Sequence, residues 1–146
     1  MEMGGRPAED LLRLAVRLHG IQLGRPTDLI LDLRADRILG FDVLCGDDVH
    51  RFLPLAAARI GDTEITVDSA LTLLDESELA FYRERACALS DLRGLEVVYA
   101  GRPGGRLRDV LVGEDGTLRA VLAEHEGELR RLDAAAGLQV QAQSAA

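Results

Sequence analysis

Asp10-Leu11-Leu12-Arg13-Leu14-Ala15-Val16-Arg17-Leu18-His19-Gly20-Ile21-Gln22-Leu23-Gly24-Arg25-Pro26-Thr27-Asp28-Leu29-Ile30-Leu31 decides how this chain is read, because a second stretch repeats its pattern. The repeat is Asp91-Leu92-Arg93-Gly94-Leu95-Glu96-Val97-Val98-Tyr99-Ala100-Gly101-Arg102-Pro103-Gly104-Gly105-Arg106-Leu107-Arg108-Asp109-Val110-Leu111-Val112. The two align without a gap: Asp10 meets Asp91, Leu14 meets Leu95, Val16 meets Val97, Gly20 meets Gly101, Gly24 meets Gly105, Arg25 meets Arg106 and Asp28 meets Asp109. One deletion in the next turn sets Ile38-Leu39-Gly40-Phe41 against Leu118-Arg119-Ala120-Val121. Shared turn glycines and a shared Gly-Arg-x-x-Asp indicate an internal repeat of supersecondary size.

Each half alternates short aliphatic runs with Gly- and Asp-bearing turns, the pattern of a small all-β unit. In the first half, strands are predicted at Leu14–Leu18, Leu23–Leu31, Ile38–Leu44, Arg51–Leu53, where Pro54 lacks a ladder donor, and Glu64–Val67. In the second they are predicted at Leu95–Tyr99, Arg106–Val112, Leu118–Ala123, Glu128–Leu132 and Leu138–Val140, with Gly101–Gly105 as a turn. Between the halves, Asp75-Glu76-Ser77-Glu78 fits a capping box, with Leu74 and Leu79 as its hydrophobic staple. Leu79, Tyr82, Ala86 and Leu89 follow with helical spacing, so a helix is expected over about 75–88, carrying Cys87. The resulting plan is a flexible N-terminus over 1–9, a first repeat over 10–70, a linker with helix over 71–90, a second repeat over 91–141 and a tail over 142–146. A unit of about 60 residues buries little apolar surface, so the halves are expected to pack on each other or on the helix.

Bulk composition narrows the partners. The 25 acidic residues outnumber 17 basic ones, all of them Arg, for a net charge of -8. That balance argues against nucleic acid, whose binding draws on clustered positive charge. Aromatics make up 3% and Trp is absent, so the core must be aliphatic. Cys45 and Cys87 lack paired C-x-x-C spacing and are expected to be free thiols, with no zinc site. No apolar run approaches the roughly 20 residues of a membrane span, and no signal-like segment opens the chain, which places the protein in the cytoplasm.

The pattern Gly20-Ile21-Gln22-Leu23-Gly24-Arg25-x-x-Asp28, followed by Arg37-Ile38-Leu39-Gly40-Phe41, Arg51-Phe52-Leu53-Pro54 and Ile65-Thr66-Val67, resembles the PRC-barrel family. The likeness covers roughly 11–68 and 92–141 and is fuller in the first half; the second has Arg131-Leu132-Asp133 where the first has Phe-Leu-Pro. The resemblance implies a mainly β protein, two small PRC-barrel-like barrels joined by a short α-helix, that mediates protein contacts. It supplies no catalytic residue.

Chemistry-bearing residues are few. Cys45-Gly46-Asp47-Asp48-Val49-His50 gathers a thiol, carboxylates and an imidazole, but Asp and Gly there suit a polar hairpin loop, and a metal would need a further ligand. His19 adjoins a turn glycine, and His125 lies in an acidic loop without a nucleophile. The serines lack triad context. Arg102, Arg106 and Arg108 form a basic cluster that is the best candidate contact for an anion or an acidic partner, with Arg106 and Arg108 on one strand face, and Arg130-Arg131 form another basic cluster. The expected function is therefore a non-enzymatic interaction module that binds a protein or itself, without cofactor, metal or catalytic set. The alternatives are a ribosome-maturation or RNA-processing factor, by analogy of fold alone, and a metal or redox sensor at the Cys45–His50 loop.

Overall fold

Alternating aliphatic runs draw the chain into two sheets in the computed structural model, which describes residues 5–134 and 138–140. β1 (Arg6–Pro7) and α1 (Ala8–Leu11) lead into β2 (Ala15–Leu18), β3 (Ile21–Asp32), β4 (Arg37–Cys45) and β5 (His50–Pro54), and then β6 (Arg59–Ile60) and β7 (Glu64–Thr66). The first sheet runs β5-β4-β3-β2-β7-β6. Helix α2 (Glu76–Arg85) follows, then β8 (Cys87–Ala88) and α3 (Leu89–Leu92). β9 (Glu96–Tyr99), β10 (Arg102–Val112), β11 (Leu118–His125), β12 (Glu128–Asp133) and β13 (Leu138–Val140) form the second sheet, in the order β12-β11-β10-β9-β13. No helix among the described residues is long and apolar enough to cross a membrane.

The residues aligned in sequence occupy corresponding places. Val16 pairs with Gly24 across β2 and β3, and Val97 with Gly105 across β9 and β10. Both glycines lie where the backbone of the next strand passes close. A Cβ at Gly24 would sit 2.5 Å from the Leu44 carbonyl oxygen; one at Gly105 would sit 2.5 Å from that of Glu124. Gly105 also has φ +112°, where a side chain adds strain. Gly24→Ala is expected to cost about 1–3 kcal/mol by overpacking, and Gly105→Ala about 1–2 kcal/mol more for its backbone. Urea unfolding of the two variants checks the order.

The short arms that precede each half do not stay with it. β1 pairs antiparallel with β10 of the second sheet, Arg6 opposite Val112 and Pro7 opposite Leu111. β8 pairs with β3 of the first sheet in the matching register, Cys87 opposite Leu31 and Ala88 opposite Ile30. At the tips of the central hairpins the exchange recurs: Ile38 N–H donates to Gly116 O and Leu118 N–H to Asp36 O, both at 2.8 Å. The two sheets therefore share reciprocal contacts, the arrangement expected when similar surfaces meet.

One core, aliphatic apart from Phe41 and Cys45, runs through both sheets. Leu11, Leu29, Ile38, Leu89, Val97 and Leu107 belong to the same cluster, and each is essentially without solvent exposure. A second, smaller cluster of Ile30, Phe52, Leu79 and Ala88 lies beneath α2, where the Phe52 and Tyr82 rings stack at 4.3 Å.

Several expectations need correction. Residues 6–9, assigned to a flexible terminus, form β1 and the start of α1, and Ala8 is fully buried. The helix ends at Arg85, so Cys87 lies in a strand; Leu89 belongs to α3 and the main core, Leu79 to the separate cluster under α2. The helical stripe failed because the C-cap residue Ala86 is extended (φ -133°, ψ -165°) and the chain turns into β8. The predicted turn Gly101–Gly105 is shorter: Ala100 and Gly101 take positive φ and the strand resumes at Arg102. Asp75 caps α2 as expected, accepting from Ser77 and Glu78 N–H at 3.1 and 3.2 Å. The tail over 142–146 lies outside the described residues.

Candidate functional site

Buried charge inside a β-structure needs partners, and three aspartates are buried here: Asp28, Asp42 and Asp109. Asp28 Oδ1 accepts from Ser90 N–H at 3.1 Å and from Leu29 N–H at 2.9 Å, and its Oδ2 takes the Ser90 hydroxyl at 2.5 Å. Arg83 of α2 reaches Asp42 Oδ2 at 2.6 Å and Asp28 Oδ2 at 3.4 Å. His50 Nδ1 lies 2.7 Å from Asp42 Oδ1. The result is a continuous chain of contacts, His50–Asp42–Arg83–Asp28–Ser90. It contains a histidine–aspartate pair at one end, and at the other the Ser90 hydroxyl is committed to Asp28.

Asp109, aligned with Asp28, plays the mirrored part. Its Oδ2 accepts from Glu9 N–H at 3.2 Å and its Oδ1 from Val110 N–H at 2.8 Å, with Arg93 3.6 Å away. Glu9 is the second residue of α1 just as Ser90 is of α3, so each of the aligned aspartates holds the arm that precedes the opposite half. No buried side-chain nitrogen or oxygen among the described residues lacks a partner. These carboxylates clamp the fold.

The Cys45–His50 loop does not converge on a site. Cys45 is buried with Sγ toward Val43 O, while His50 turns to Asp42. Asp47 makes a bidentate pair with Arg51 at 3.0 and 2.8 Å, which holds its carboxyl down at about 2. Among the described residues no group of three His, Cys, Asp or Glu side chains could hold a metal ion. Cys45 and Cys87 are both free thiols; burial, with Asp91 and Asp32 nearby, pushes the Cys87 thiol up, which lowers its reactivity.

Arg102, Arg106 and Arg108 are exposed on β10, but they are not three equivalent charges. Arg108 is paired with Glu124 at 2.6 Å, and Arg106 donates to Gly94 O at 2.9 Å. Arg93 joins them by donating to Arg108 O at 3.0 Å.

A feature the sequence reading missed is the contrast between two outer strands. Strand registers equate the row Asp28, Asp42, Phe52 with the row Asp109, Leu122, Arg131. In the first sheet, Phe52 N–H donates to Leu74 O and Leu74 N–H to Phe52 O, at 2.9 and 2.8 Å, and α2 lies over that face. β12 has no such cover among the described residues. Its hairpin turn, Glu126-Gly127, has both residues at positive φ, the two-residue form that makes His125 and Glu128 the hydrogen-bonded pair. By alternation, Leu129, Arg131 and Asp133 then turn their backbone groups away from β11. Leu129 is 62% exposed. Arg131 standing where the first half has Phe52 was the available signal. No known protein family matches the chain, and no curated protein matches it.

Proposed function

We propose that this chain is a non-enzymatic, cytoplasmic interaction module, a tandem duplication of a PRC-barrel-like unit, which binds a protein by adding a strand to β12. The observation that carries this reading is the unequal pair of edges: one sealed from within the chain by Leu74, the other presenting the outward N–H and C=O of Arg131 without a partner among the described residues. Such an edge is a template for an extended segment of another chain. The reading is supported further by the use of the buried aspartates as clamps, which engages these carboxylates structurally, and by the net charge of -8, which disfavours nucleic acid.

Arg131→Pro tests it. Because this N–H faces away from β11, proline removes the outward donor and spares the internal ladder. With a photocrosslinking residue in place of Leu129, the full chain is expected to form a discrete adduct in cells that Arg131→Pro abolishes and Arg131→Ala retains. Adducts indifferent to proline, or none from position 129, would overturn strand addition.

A further inference from the structure

The chain carries its own example of how such an edge is covered, and the face beside β12 departs from that example in a way that specifies an occupant. In the first half the cover is Leu74, paired to β5, followed by α2, whose Leu79 and Tyr82 lie on Ile30, Phe52 and the partly buried Leu39. In the second half Ile30 is matched by Leu111, but Leu39 by Arg119 and Phe52 by Arg131. A Cβ at Gly5 would lie 2.9 Å from Leu111 Cβ and 3.4 Å from Arg119 Cβ, which places Arg119 beside Leu111 on this outer face. Two positions beneath α2 that are apolar in the first half, beside the Asp42 that receives Arg83, thus bear guanidinium groups in the second.

Resting on the strand-addition reading above, we infer that the outer face of the second half docks an acidic segment of a partner protein: a short extended stretch paired to Arg131, then a helix whose carboxylates face Arg119 and Arg131. The resident partners of these arginines are weak and exchangeable. Arg119 lies 3.8 Å from Asp115 and Arg131 2.8 Å from Asp133, with both acids largely exposed. An incoming carboxylate displaces them, while Leu111 stays buried beside Gly5. A nucleic-acid strand fits less well, because a row of alternating N–H and C=O groups recognises a peptide backbone and Asp133 lies on the same strand.

The test uses the full chain and two synthetic peptides with the sequence of residues 71–86. One carries Leu79→Glu and Tyr82→Glu, the other Leu79→Lys and Tyr82→Lys. Fluorescence anisotropy is expected to give the Glu peptide at least about tenfold tighter binding at low salt, a difference that shrinks as salt rises. Arg131→Pro should abolish that binding, and the double variant Arg119→Glu/Arg131→Glu should reverse the preference. Equal binding of both peptides with loss in Arg131→Pro would overturn the acidic partner and leave strand addition standing. Binding indifferent to proline, or no binding of either peptide, would overturn both. Displacement of the Glu peptide by a single-stranded oligonucleotide would overturn the choice of a protein occupant.

Discussion

Cut between Arg85 and Ala86, the chain is expected to give two fragments that fail to fold alone and fold together. The N-terminal fragment keeps β1 and α1, which belong on the second sheet, and loses β8 and α3, which cover its own β3. The C-terminal fragment has the converse defect. Each would expose one side of a core in which Leu11, Leu29, Leu89 and Leu107 pack as one cluster. Units of this size hold a marginal core even when intact. Far-UV circular dichroism of either fragment should lack a cooperative melt, and an equimolar mixture should regain one whose midpoint rises with concentration. Two independent transitions near that of the intact chain would mean that the arm exchange contributes little.

Removing the repeated aspartates should produce unequal losses, although the two are aligned. Asp28→Ala leaves the Ser90 N–H and hydroxyl without their acceptor and strips Arg83 of one of its two carboxylates. Breaking a buried ionic network from one side costs about 3–5 kcal/mol. Arg83 is partly exposed and keeps Asp42, so about 3 kcal/mol is expected. Asp109→Ala orphans the Glu9 and Val110 N–H groups and loosens a 3.6 Å contact with Arg93, for about 1–2 kcal/mol. Urea unfolding measures both, and losses of equal size would contradict the assignment of Arg83 and Ser90 to a network special to the first half. Asp28→Asn should fall between them, since the amide oxygen can still accept from Ser90 N–H.

How much of this was legible beforehand differs by feature. The strands near 38–44, 64–67, 95–99, 118–123 and 138–140 were readable because side-chain alternation and turn chemistry are local properties. Asp75 as a helix cap was readable for the same reason. Asp28 and Asp109 were visible as a repeated pair, but their task was not, because their partners Ser90 and Glu9 lie far away in the sequence, each in the arm that precedes the other half. Asp42 offered a hint, a charged residue within the otherwise apolar run Phe41–Leu44, that was not followed to His50 and Arg83.

By itself, the sequence determined a mainly β chain whose two halves share an order of turns, an aliphatic core, and a capped helix between them. Only the tertiary structure decided which sheet each two-residue arm joins, which of the exposed arginines on β10 is already neutralised by Glu124, and which edge strand has no cover among the described residues. A two-residue strand has no periodicity to read, and its partner is chosen by the free backbone edge and apolar surface that distant segments bring beside it. That β12 is uncovered among the described residues is likewise a property of its surroundings, of which Arg131 in place of Phe52 is the one local sign.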